Sequence, residues 1–159
     1  MVAIIVVLVC LNVLALFSIF LLRKYTSIFE ITGNIFFIST VFHIGFSILT
    51  LNTKRIVLSE TPTVFWILEL NRIIFIPCLL IWVLVFIFHP KFRAIQKLII
   101  FIWWFVLMVG LEKIYRFLHF IEFRNWNEGY SLIKIGVIFA LCLIFMRWFR
   151  GLIKKEEMR

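Results

Sequence analysis

Aspartate is absent from this chain, and its eight acidic residues are all glutamates. That excludes a metal site of the aspartate-rich kind. Cysteine is reduced to Cys10, Cys78 and Cys142, each near the middle of a long apolar run, where a disulfide would need close register and an oxidant with access to the membrane core. Free thiols acting as small apolar groups are expected instead. There is no CxxC, no HExxH and no histidine-rich tract, so neither a metal nor a cofactor is expected. Glycine and proline number six and three, with no Gly/Ser linker, no internal repeat and no polar stretch long enough for an aqueous domain.

Apolar residues are what the chain does have, at 64% of the total and a mean hydropathy of +1.12. Soluble domains use roughly 45–50%. The composition is that of an integral membrane protein built as one compact bundle.

Crossing the hydrocarbon takes about 20 apolar residues at ~1.5 Å each. Five runs qualify: Val2 to Leu22, Ile31 to Leu51, Val64 to Phe88, Leu98 to Leu118 and Tyr130 to Phe149. They are too long and too uniformly apolar for barrel strands. The fold class expected is therefore all-α, an integral membrane bundle of five transmembrane helices, with residues 150–159 as a basic cytoplasmic tail extending the last helix.

Flanking charge sets the orientation. The segments after the first, third and fifth spans hold Arg23, Lys24, Lys91, Arg93, Lys97, Arg147, Arg150, Lys154, Lys155 and Arg159, ten of the 17 basic residues. The opposite side holds Lys54, Arg55, Arg72, Lys113, Arg116, Arg124 and Lys134 together with five of the eight glutamates. The excess places the C-terminus in the cytoplasm and the N-terminus outside. The first run lacks a basic leading region and is followed at once by Arg23-Lys24, so it reads as a retained helix rather than a signal peptide. The net charge of +9 is then mostly the flanking charge that accompanies anionic headgroups. Lipid bilayer, not nucleic acid, is the partner it implies.

Ionisable groups at membrane depth cost about 2.5–3.5 kcal/mol each even on lenient scales, so the polar residues inside the runs carry the information. The third run contributes Glu69, Asn71 and Arg72, the fourth Glu112, Lys113, Arg116 and His119, the fifth Lys134 and the second His43. Counted inward from the predicted outer ends, they form one layer in the outer half of the bilayer. Glu69 and Arg72 are three apart, while Glu112, Arg116 and His119 follow at intervals of four and three, which places each set on one helix face. Glu69 and Arg72 lie deepest and are expected to meet Glu112, Lys134 or His43.

Pro77 follows this patch in mid-span and removes a backbone hydrogen bond, so a kink is expected there, accommodated by neighbouring helices. The segment Phe120 to Ser131 reads as an irregular interfacial loop, with Trp126 and Tyr130 at the headgroup level and Ser131 as the cap of the fifth helix.

The order of elements from Trp66 to Arg150 resembles a family of small five-span membrane proteins of endospore-forming Firmicutes. The resemblance is carried by the proline in span three, His89-Pro90 before basic residues, Trp103-Trp104 and then Glu112 in span four, the Asn125-Trp126-Asn127 loop, and Ser131 opening the last span. Where the family pattern has Gly-Trp-Asn, this chain has Asn125. The family has no agreed activity. The resemblance implies a multi-pass protein of the bacterial cytoplasmic membrane and carries no catalytic residue across.

Three readings of the polar layer follow. The leading one is non-enzymatic: ion pairs and amides fix helix register and support assembly with a second copy or another membrane protein. The alternative is a small transporter or a ligand- or ion-binding module using Glu69, Arg72, Glu112, Arg116 and Lys134, with proton relay through the glutamates and histidines. Acid–base catalysis by a Glu/His pair ranks below both, because no nucleophile signature accompanies it.

Overall fold

The computed structural model describes residues 2–59, 61–124 and 126–157. Helix α1 runs Val2–Leu22, a segment without charge, and closes in a turn where the Tyr25 amide reaches Leu22 O at 2.9 Å. Ser27 then caps α2, Ile28–Ser47, by accepting from the Glu30 amide at 3.2 Å. The helix therefore begins ahead of Ile31, with Glu30 in its first turn, where the macrodipole favours a carboxylate. It continues as a π segment, Ile48–Asn52.

The third span is a single apolar rod over Pro62–Phe88, made of α3, Pro62–Leu70, a π segment, Asn71–Phe75, and α4, Ile76–Phe88. Proline at its first position suits a helix start. Pro77 cannot supply the amide that Ile73 O would accept, and the Ser39 hydroxyl of α2 donates to that carbonyl at 3.0 Å. The expected defect is thus accommodated by a π bulge and a neighbouring hydroxyl.

Helix α5 spans Ala94–Phe117 and α6 Glu128–Glu157. Gln96 closes the start of α5 by accepting from the Arg93 amide at 2.9 Å. At the start of α6, Asn127 Oδ1 accepts from the Tyr130 amide at 2.9 Å. Ser131 lies inside the first turn, buried, and takes the Trp126 indole N–H at 2.8 Å. The capping role expected of Ser131 belongs to Asn127, because the helix starts earlier than Tyr130. Asn125 lies outside the described residues, as do Met158 and Arg159.

Five helical stretches are long and apolar enough to cross a membrane, which makes the chain an all-α, multi-pass membrane protein. Two short strands are also present, β1, Ile56–Leu58, and β2, Ile121–Phe123, the second within the segment expected to be an irregular loop. They pair antiparallel with Ile56 opposite Phe123 and Leu58 opposite Ile121. The ladder extends through Ser59 N to Phe120 O at 3.1 Å and Arg124 N to Arg55 O at 2.7 Å. This pair closes one end of the bundle, the strand end; the end of α6 marks the tail end.

The third span is the most buried of the five, and the others pack around it. One apolar cluster, with Leu22, Ile38, Leu80, Leu84, Cys142 and Met146 at its centre, fills the bundle toward the tail end. A second, with Leu8, Ile56, Val64, Ile67, Tyr115 and Ile121, fills the strand end. Helices α2 and α6 approach closely at Gly33, where a Cβ would stand 2.6 Å from Phe149 Cε1. The Phe149 ring stacks on Phe145, which stacks on Phe37 at 3.9 Å between centroids. The three cysteines are free thiols.

Candidate functional site

The polar layer lies between the two apolar clusters. On α1, Asn12 falls between Leu8 of one cluster and Leu22 of the other; on the third span, Asn71 and Arg72 fall between Leu68 and Ile76; on α5, Glu112 falls between Met108 and Tyr115. Each helix thus interrupts its apolar face at a matching level.

Asn71 is the hub. Its Oδ1 accepts from Asn12 Nδ2, which also donates to Leu8 O at 2.8 Å, and its own Nδ2 donates to the Tyr115 hydroxyl at 2.9 Å. Three spans are joined through one amide that is 1% exposed. The π segment begins at this residue, where the wider turn shifts the following side chains relative to an α-helical register.

Arg72 is buried beside it. Its Nε donates to Leu68 O at 3.3 Å, a terminal amino group donates to Glu69 Oε1 at 2.7 Å, and its guanidinium carbon stands 3.5 Å from the centroid of the Phe46 ring. An arginine stacked and paired in this way is compensated by charge and by the ring's quadrupole together. His43 Nδ1 stands 3.6 Å from Glu69 Oε2, beyond hydrogen-bond distance, and that oxygen is buried without a hydrogen-bond partner among the described residues.

Across the bundle a second pair joins α6 to α5, with Lys134 Nζ donating to Glu112 Oε1 at 2.8 Å. A cavity of about 80 Å³ lies between the two pairs, with Arg72, Glu112, Tyr115 and Lys134 in a wall that is otherwise apolar, and with Ile56 and Ile121 of the strand pair on its boundary. That volume holds several waters, since one needs only about 10–15 Å³ of such space. Drug-sized ligand sites are larger, about 300–1,000 Å³.

The layer expected from the sequence is thus partly assembled. The structure brings together Glu69, Asn71, Arg72 and His43, and separately Glu112 and Lys134. Arg116 and His119 are not in it. Arg116 sits over the Phe123 ring at 4.6 Å and 3.8 Å from Glu128, at the surface, and Glu112, one turn before it on the same helix, is held by Lys134. Lys113 shares Glu128 at 3.6 Å. His119 lies beyond the end of α5, exposed, with φ of 54°. The helix has turned out of its face before reaching it. Arg72 meets Glu69, Glu69 also approaches His43, and the Glu112–Lys134 pair lines the same cavity as Arg72.

No protein-family model matches the chain, and neither a curated protein nor a solved structure is significantly similar to it. The site is therefore read from its own geometry.

Several residues of the layer escaped the sequence reading. Asn12 is the lone amide of the first span, and a buried amide in an otherwise apolar helix is itself the signal that could have found it. Tyr115 was masked by the charges around it. At the tail end Glu30, one residue outside the expected second run, pairs with Arg150, which reads in the sequence as flanking charge. No local pattern links positions so far apart. Trp82 Nε1 also donates to Ser18 Oγ at 2.9 Å, pinning α4 to α1.

Proposed function

We propose that this is a non-enzymatic component of the bacterial cytoplasmic membrane, with its N-terminus outside and its C-terminus cytoplasmic. In this reading the polar layer fixes the register and rotation of five helices, so that the bundle presents defined faces for assembly with a second copy or another membrane protein. The bacterial setting rests on the resemblance over Trp66 to Arg150, and the orientation rests on flanking charge.

The observation that carries the reading is pairing. Both interior glutamates of the layer are matched by a cation of the same chain, Glu69 by Arg72 and Glu112 by Lys134, and the space between is only about 80 Å³. A layer closed on itself contributes register and leaves little capacity for cargo. In a membrane each such polar contact contributes about 0.6 kcal/mol on average, so several spread over all five spans act as a specificity device more than as bulk stabilisation.

The alternative, a small transporter or an ion- or ligand-binding module, draws on one specific observation, the unpartnered Oε2 of Glu69. Charge-pair variants separate the two. Glu112→Gln leaves Lys134 unpaired, so the structural reading expects less protein in the membrane and a lower melting temperature, with both restored in the double variant Glu112→Gln/Lys134→Met. The binding reading expects Glu112→Gln to accumulate and melt like the wild type.

A further inference from the structure

A larger cavity lies at the tail end, away from the polar layer. It has a volume of about 310 Å³ and forms where the α1–α2 turn, the end of α4 and the later turns of α6 meet, with Tyr25, Thr26, Glu30, Phe88, His89 and Arg150 in its wall. Its size reaches the range of small-ligand sites. Its chemistry differs from that of the smaller cavity at the polar layer, whose wall is apolar apart from Arg72, Glu112, Tyr115 and Lys134.

Hydrogen-bond donors are in surplus there. Arg150 is held by Glu30 through Nε, and its guanidinium carbon stands 5.1 Å from the centroid of the Phe88 ring. That pairing fixes the guanidinium plane and leaves both terminal amino groups without a protein acceptor among the described residues. The Thr26 hydroxyl is buried with no hydrogen-bond partner among them. His89 Nδ1 accepts from the Lys91 amide at 3.3 Å, which puts the proton of the neutral ring on Nε2, and the ring is held against Tyr25 and Phe92 at 5.7 Å between centroids in each case. Opposite these donors the wall offers one carboxylate, already neutralised by Arg150. The adjoining turns add Arg23, Lys24, Lys91 and Arg93, all exposed.

A rigid, donor-rich and electropositive pocket selects an anion with several acceptor oxygens. Its level in the fold matters equally. Leu22 and Phe88 are the last residues of α1 and α4, so the cavity sits where the apolar spans end, the depth of headgroup phosphates. We propose that this cavity is a phosphate-binding site, filled in the membrane by the phosphate group of a lipid headgroup. Arg150 would take two of its oxygens, and Thr26 and His89 would donate to the others. Occupancy would tie the α1–α2 turn to α6.

The test is thermal unfolding of the full chain in delipidating detergent, titrated with dihexanoylphosphatidylglycerol, with dihexanoylglycerol, which has the same chains and no phosphate, and with inorganic phosphate. A saturable rise in melting temperature with the phospholipid and none with the diacylglycerol is expected. A parallel rise with inorganic phosphate would place recognition in the phosphate alone, and a response to the phospholipid only would assign the site to the headgroup. Thr26→Val loses no hydrogen bond to a protein partner seen in the structure, so it is the deciding variant, while Arg150→Gln also breaks the Glu30 pair. Thr26→Val should raise the midpoint of the phospholipid titration about tenfold, the loss of one hydrogen bond to a charged group. An equal response to the diacylglycerol, or an unchanged midpoint in Thr26→Val, overturns the site.

Discussion

His119 ends α5 by adopting a conformation that L-residues pay to reach. Its φ is 54°, its amide bonds to Arg116 O at 3.0 Å, and the next amide, Phe120 N, bonds back to Tyr115 O at 2.9 Å. This is the Schellman arrangement, and the contact that usually accompanies it is present as the stacked rings of Tyr115 and Phe120 at 6.4 Å. The strain falls on a side chain that makes no bond of its own among the described residues. His119→Gly is therefore expected to stabilise the protein by about 1 kcal/mol, and His119→Val to destabilise it by at least as much, because a β-branched residue fits the left-handed region worst. Unfolding in mixed micelles measures both, and a glycine variant less stable than the wild type would give His119 a role beyond the turn. The histidine looked like part of a polar face because helical periodicity was carried past the residue at which the helix stops. Asn71 shows the opposite case: a lone amide inside an apolar run announces a partner even when the sequence does not say which. Its partners, Asn12 and Tyr115, lie 59 and 44 residues away.

The third span shows how an element absorbs a break. Pro77 deprives Ile73 O of its amide, the chain widens into a π segment over Asn71–Phe75, and Ser39 of α2 supplies the missing donor. The bulge and the polar hub thus occupy the same five residues, and the defect that proline imposes also places Asn71 and Arg72 in the interior. If Ser39 acts by satisfying that carbonyl, its value depends on the proline. Ser39→Ala should cost about 1 kcal/mol in the wild type and close to nothing in a Pro77→Ala background, where residue 77 again has an amide to offer. A double-mutant cycle reads the coupling directly, and additive effects would show that the hydroxyl serves some other purpose. The helices themselves were legible, since length and hydropathy dictate them, while starts such as those of α2 and α6 moved because the caps Ser27 and Asn127 lie outside the apolar runs. The strands were not legible. Two three-residue segments separated by two complete spans have no local signature, and each is a strand only because the other completes its ladder.

At the scale of the whole molecule, the two ends of the bundle differ in what closes them. The strand end is sealed by apolar residues, with Ile56, Phe120 and Ile121 buried beneath the β1–β2 ladder, and Lys113 and Arg116 share Glu128 at its surface. The tail end is open, basic and donor-rich. Anionic lipid is concentrated in the cytoplasmic leaflet, and basic segments are held on that side during insertion. Orientation and the phosphate pocket are thus linked, because the end with the larger share of the basic residues, ten of 17, should also be the end that meets the anionic leaflet. Single cysteines placed in a background with Cys10, Cys78 and Cys142 replaced by alanine test this. Thr61→Cys, exposed at the strand end, should react with a membrane-impermeant maleimide in intact cells, and Lys155→Cys, exposed on the last turns of α6, should react only after the membrane is opened. The reverse pattern would put the basic end outside, away from the leaflet that its charge fits, and the flanking-charge argument would fail with it.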